Sequence, residues 1–95
     1  MRRANRVDDN QNDIVAALRK AGATVRIISQ GDGIPDLLVG FKGETFLFEV
    51  KDGNKPPSAR TLTDAEKKFF MEWTGGICAI VESVEGALKI LEGIE

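Results

Sequence analysis

Two carboxylates and an amine, Asp36, Glu49 and Lys51, are the residues of this 95-residue chain whose types and spacing best suit chemistry. Two nearby acids can hold a divalent cation, which polarises a phosphodiester oxygen and lowers the pKa of a bound water. An amine beside them can orient that water or balance negative charge as it develops. The Val50 backbone carbonyl, between Glu49 and Lys51, is a candidate further metal ligand. The rest of the composition pushes the same way. With no histidine, triads and histidine acid–base pairs are excluded. One cysteine, Cys78, makes neither an intrachain disulfide nor a cysteine-rich zinc site. A metal held here must therefore be a hard cation on oxygen ligands, Mg²⁺ or Mn²⁺ in character.

Taken singly, these residues are unremarkable. Asp36 follows Pro35, where aspartate is common as a turn residue, and Glu-x-Lys on a strand is a routine surface ion pair. What sets them apart is where two strands and a turn would put them. The segments 36–41 and 45–51 both read as strands, and Lys42-Gly43 reads as a tight hairpin turn. If these are the two central turn residues, Phe41 opposes Glu44, and Asp36 lands opposite Glu49. Opposed side chains share a face at roughly 5 Å between Cβ atoms. Lys51 lies on that face one pleat repeat further, about 6–7 Å along the strand. Leu37, Val39, Phe46, Phe48 and Val50 fall on the opposite face, while Leu38 and Leu47 lie deeper on the face of the acids. With both faces apolar at mid-strand, these read as central strands.

The flanking elements follow from the same reading. Ile14, Val15, Leu18 and Ala21 recur at helical spacing over 9–21, and Gly22 ends that helix. Residues 24–29 are β-rich, and 30–34 form a glycine loop. Residues 52–61, with Pro56, Pro57 and Ser58, form a surface loop. Thr63 starts a second helix with Glu66 at capping-box spacing, running to about Trp73. A short buried strand over 77–81 and a last helix capped by Ser83, with an apolar stripe of Val84, Ala87, Leu88 and Leu91, complete the order αβββαβα. This predicts an α/β domain over 9–95 with a mixed central sheet flanked by helices, preceded by a basic arm over 1–8. Two polar residues lie on apolar stripes: Gln11 with Ile14, Val15 and Leu18, and Glu66 with Phe69, Phe70 and Trp73.

Net charge is −2, but its distribution is uneven. Residues 1–71 hold 12 Lys/Arg and 10 Asp/Glu, whereas residues 72–95 hold 1 Lys and 5 Glu. Arg2, Arg3, Arg6, Lys55 and Arg60 are thus candidate phosphate contacts. The basic start is followed by acidic and polar residues, not an apolar run, so no signal peptide, no membrane association and an intracellular protein are expected.

The strings G-I-P-D-L-L-V-G (33–40) and F-L-F-E-V-K-D-G (46–53) resemble the PD-(D/E)XK nuclease signature. Together with D-D-N-Q-N-D-I-V-A-A-L-R, P-P-S-A-R and L-T-D-A-E-K-K-F-F, they make the chain similar to stand-alone VRR-NUC nucleases of phage and bacteria, over roughly residues 7–91. Those are related to archaeal-type Holliday junction resolvases and to the nuclease domain of Fanconi-associated nuclease. The resemblance implies a restriction-endonuclease-like αβββαβ core and a homodimeric, Mg²⁺- or Mn²⁺-dependent endodeoxyribonuclease acting on branched DNA such as Holliday junctions, in a bacterial or phage-infected cell. It implies Asp36 and Glu49 as metal-binding acids and Lys51 as the catalytic lysine. Gln11 stands where the resolvases carry a glutamate, which makes it a candidate metal ligand. Glu66 stands where VRR-NUC members often carry glutamine, and Ser29 near a loop serine of the resolvases; both are candidate DNA contacts. The rival expectation is a catalytically silent DNA-binding or scaffold module on the same fold.

Overall fold

A computed structural model describes residues 8–93. Arg2, Arg3 and Arg6, and with them nearly all of the expected basic arm, lie outside the described residues. The element order is α1 (Gln11–Lys20), β1 (Thr24–Ile27), β2 (Leu37–Phe41), β3 (Glu44–Val50), a 3-10 turn (Pro57–Arg60), α2 (Asp64–Glu72), β4 (Ile77–Val81) and α3 (Val84–Glu92). The strands form one sheet in the order β1-β2-β3-β4. β1–β2 and β2–β3 are antiparallel, and β3–β4 is parallel. The mixed sheet and the αβββαβ order match the expectation.

The hairpin between β2 and β3 sets the register. Lys42 and Gly43 both have positive φ, 51° and 83°. Positive φ at both central residues is what a two-residue type I′ turn needs, because its twist matches that of the flanking strands. Phe41 then pairs with Glu44, and pairing runs to Leu37–Phe48. One face of this sheet is the core. Leu37, Val39, Phe46 and Phe48 are fully buried, and Val25, Val50 and Val81 are 1% exposed. Ile14 and Leu18 of α1 and Ala87 and Leu91 of α3 close over them. Each fully buried side chain of this size contributes about 1.5–3 kcal/mol of transfer free energy.

The other face departs from expectation. Leu47 is buried, but Leu38 and Ile80 are each 40% exposed. The cause is α2, which buries none of its own residues and so covers this face sparingly. β4, expected to be buried, is an edge strand with only Val81 buried. β1 stops at Ile27 and β2 begins at Leu37, leaving Ser29 and Asp36 just outside the strands. At the β1 edge, the outward Val25 carbonyl accepts from both Arg19 (2.9 Å) and Arg26 (3.2 Å).

Helix α2 is held at its start. Thr63 and Glu66 form the expected capping box. The glycine loop packs against it so closely that a Cβ on Gly33 (φ +80°) would lie 2.4 Å from the Ala65 carbonyl oxygen. Gly33→Ala combines a left-handed strain with a backbone clash, and it is expected to destabilise the fold by more than about 2 kcal/mol. Urea unfolding of the two proteins measures this directly.

Candidate functional site

The β2–β3 ladder alternates between hydrogen-bonded and non-hydrogen-bonded pairs. Ile28 N–H donates to the Asp36 carbonyl, so Asp36 turns its main chain toward β1. Asp36 and Glu49 stand one step beyond Leu37–Phe48, the last pair of the ladder, where a non-hydrogen-bonded pair would fall if the ladder continued. The next pair would be Pro35 with Val50. Pro35 has no N–H to give, so the ladder offers the Val50 carbonyl no donor. The Val50 N–H, facing the same way, donates to Asp36 Oδ2 at 2.8 Å. Ser29 Oγ donates to Asp36 Oδ1 at 2.6 Å. Both Asp36 oxygens are thus oriented, with a lone pair left on each.

Glu49 is 4% exposed, and its Oε1 is buried without a hydrogen-bond partner among the described residues. Its Oε2 lies 3.5 Å from Lys51 Nζ. Burial, then the charges of Asp36 and Glu66, push its carboxyl up to about 8 against the opposing pull of Lys51. Lys51 Nζ donates to Glu66 Oε1 at 3.1 Å, and the same oxygen accepts the Thr63 N–H at 2.9 Å. Burial disfavours the ammonium, but the hydrogen bond to Glu66 and the two acidic charges outweigh it and raise the lysine above its ordinary value. Burial likewise opposes charge on Glu66, yet the Thr63 N–H and Lys51 hold its carboxyl below the usual range. Lys51 is therefore a charged donor at neutral pH, not a base.

These groups line one cleft of about 470 Å³, together with Ser29, Val50, Lys55 and Asp8. Sequence reasoning missed Asp8 by assigning it to the arm. It pairs with Lys55 at 3.8 Å, and burial raises its carboxyl against the pull of Lys55 and Lys51. Its position in the D-D-N string just before the first helix was the available signal.

Other expected site residues lie elsewhere. Gln11 is buried in the first turn of α1 and is not among the residues that line the cleft. Arg60 is engaged by Glu82, with both carboxylate oxygens at 3.3 Å, and is also outside the cleft lining. Among the described residues, no three acids converge as a ready-made metal cage. The donor set still fits a hard cation. The buried Glu49 oxygen lacks a partner, Asp36 is oriented beside it, and a neighbouring main-chain carbonyl is left over by proline.

A solved structure described as a VRR_NUC domain is similar to this chain, with a TM-score of 0.59 and 26% identity, covering 90% of this chain and 97% of that one. No family model matches the chain, and no curated protein matches it. Fold and comparison together define a restriction-endonuclease-like domain. Within that class the likeness is to VRR-NUC nucleases, and it supports a nuclease-type function and, with it, binding of DNA. No helix among the described residues is long and apolar enough to cross a membrane.

The Glu49 shift has a measurable consequence in metal-free protein. An acid whose folded pKa lies above its unfolded value favours the folded state below the unfolded pKa, and that contribution is lost as pH rises through the folded pKa. Stability in EDTA should therefore fall from about pH 4.5 to about pH 8. Glu49→Gln should flatten that slope and be the more stable protein at pH 8, as read by urea unfolding across the range.

Proposed function

We propose that this protein is a metal-dependent endodeoxyribonuclease that hydrolyses phosphodiester bonds in branched or structured DNA, such as Holliday junctions. The observation that carries the reading is the unpartnered, buried Glu49 oxygen beside the oriented carboxylate of Asp36 and the ammonium of Lys51. A buried polar atom without a partner costs about 1–3 kcal/mol. Such a cost is commonly retained where a ligand supplies the missing partner.

Asp36, Glu49 and the Val50 carbonyl would hold Mg²⁺ or Mn²⁺. The ion would supply Lewis acidity toward the phosphodiester and a water more easily deprotonated. The protein's own residues do the rest. Ser29 and the Val50 N–H fix the plane of the Asp36 carboxylate. Glu66 holds Lys51 protonated, so its ammonium is ready to donate to a phosphate oxygen. Lys55 at the cleft wall adds a second cation for the DNA backbone, with Arg2, Arg3 and Arg6 as further candidates. Arg60 joins them only by giving up Glu82. A homodimer would supply enough surface to grip a branched duplex.

The second reading is a catalytically silent DNA-binding module on the same fold. One assay separates the two. Purified protein is incubated with labelled four-way junction, flap and linear duplex in Mg²⁺, Mn²⁺ or EDTA. The nuclease reading expects metal-dependent cutting, none in EDTA, and a loss of roughly a hundredfold or more in Asp36→Ala and Lys51→Ala, the scale seen when an electrostatic catalytic donor is removed. Binding without cutting in any metal would leave the silent module. Wild-type cutting by Asp36→Ala would reject the site. In either reading, affinity for duplex DNA should fall steeply between 50 and about 200 mM salt, measured by fluorescence anisotropy.

A further inference from the structure

Asn10 holds the N-cap position of α1, but its dihedrals are helical (φ −88°, ψ −2°) and its side chain caps nothing in its own helix. The amide instead reaches the end of the sheet. Its Nδ2 donates to the Lys51 carbonyl and to the Glu82 carbonyl, each at 3.1 Å. A carboxamide nitrogen has two hydrogens, so both are spent on two main-chain acceptors. Asn10 Oδ1, the atom an N-cap ordinarily uses, is buried without a partner among the described residues. The residue is used for its donors and not its acceptor. With the amide reversed, its oxygen would face two carbonyl oxygens.

The place it reaches is where β3 and β4 part. Lys51 N–H still donates to the Val81 carbonyl at 3.0 Å. In a continuing parallel ladder, the Lys51 carbonyl would accept from residue 83, but Ser83 is the N-cap of α3 and the ladder ends. The Glu82 carbonyl accepts from Gly53 N–H at 3.1 Å as well as from Asn10, and the Glu82 side chain holds Arg60. The main chain that carries the Lys51 ammonium is thus tied by β4 on its N–H and by α1 on its carbonyl.

We propose that Asn10 is a positioning residue for this site: it clamps the fork between β3 and β4 so that the Lys51 side chain leaves the sheet toward Glu49 and Glu66. Its catalytic consequence rests on the nuclease reading; its geometry does not. Common N-cap residues do not replace it. Serine caps a helix well but is too short to span both carbonyls, and aspartate has the shape of asparagine without the donors.

The test uses the full chain with Asn10→Ser, Asn10→Asp and Asn10→Gln. Amide hydrogen exchange at Lys51 and Gly53 and the Lys51 side-chain NMR resonances are recorded in metal-free protein. Cleavage kinetics and Mn²⁺ binding are measured separately. The clamp expects exchange at both amides to quicken about tenfold or more in the serine and aspartate variants, with the Lys51 resonances shifted. It expects kcat to fall roughly ten- to a hundredfold, the scale of an ångström-level misplacement, while KM and Mn²⁺ affinity stay within about twofold. Asn10→Gln, which keeps both donors, should recover part of kcat. Wild-type exchange and Lys51 resonances in Asn10→Asp would overturn the clamp whatever the activity. Wild-type kcat in Asn10→Ser would overturn its positioning role. If the unmutated protein cuts no DNA in either metal, the nuclease reading fails, and exchange at Lys51 and Gly53 alone decides the clamp.

Discussion

At the site end of the sheet, a side chain takes over from the backbone. The ladder between β2 and β3 reaches Leu37–Phe48 and then meets a proline. Asp36 Oδ2 accepts the Val50 N–H that faces this gap, at 2.8 Å. That bond replaces one of the two that a Pro35–Val50 pair would have carried in an unbroken ladder. It also determines what the end of the sheet is for. The carboxylate that seals the strands lies beside Glu49, and the proline that forces the exchange leaves the adjacent carbonyl without a donor. Structure and candidate chemistry thus depend on the same oxygen.

Around that bond the charges are unevenly satisfied. Glu66 serves Thr63 and Lys51 through one oxygen and is held ionised. Lys51 is held as a cation by the acids on either side. Glu49 receives least: it is the most buried of the three, has one free oxygen, and shares its surroundings with two like charges. A fold selected only for stability would place an apolar residue there, as it does at Val50 and Val81. Locally unfavourable electrostatics in a cleft, with a specific partner nearby, mark a functional site more often than a structural one.

Much of this was legible in the sequence because a few local signals fixed long-range geometry. Lys42-Gly43 forced a two-residue turn, and a register of period two then carried the Asp36–Glu49 pairing along the strands. Thr63 and Glu66 announced their helix by spacing alone. Other features were not local. The exposure of Leu38 depends on how little α2 covers, which no strand pattern records. Gln11 has the periodicity of an inward residue and is buried, but periodicity does not record which groups it meets, and it is not among the cleft-lining residues. Asn10 looks like an ordinary helix start, and its partners lie 41 and 72 residues away. Asp8 was passed over for a different reason: it was assigned to the basic arm and not weighed for the cleft it lines.

The two guanidinium groups on the Val25 carbonyl bear on how copies of this protein could meet. Four residues long and outermost in the sheet, β1 would otherwise present a main-chain acceptor that another strand could use. Arg19 and Arg26 occupy it and bring positive charge to the rim. Growth of the sheet sideways through this strand, the usual route to runaway association, loses one of its acceptors and meets positive charge. Arginine at this border thus works against strand addition while leaving the opposite border of the sheet, among the described residues, without such a guard.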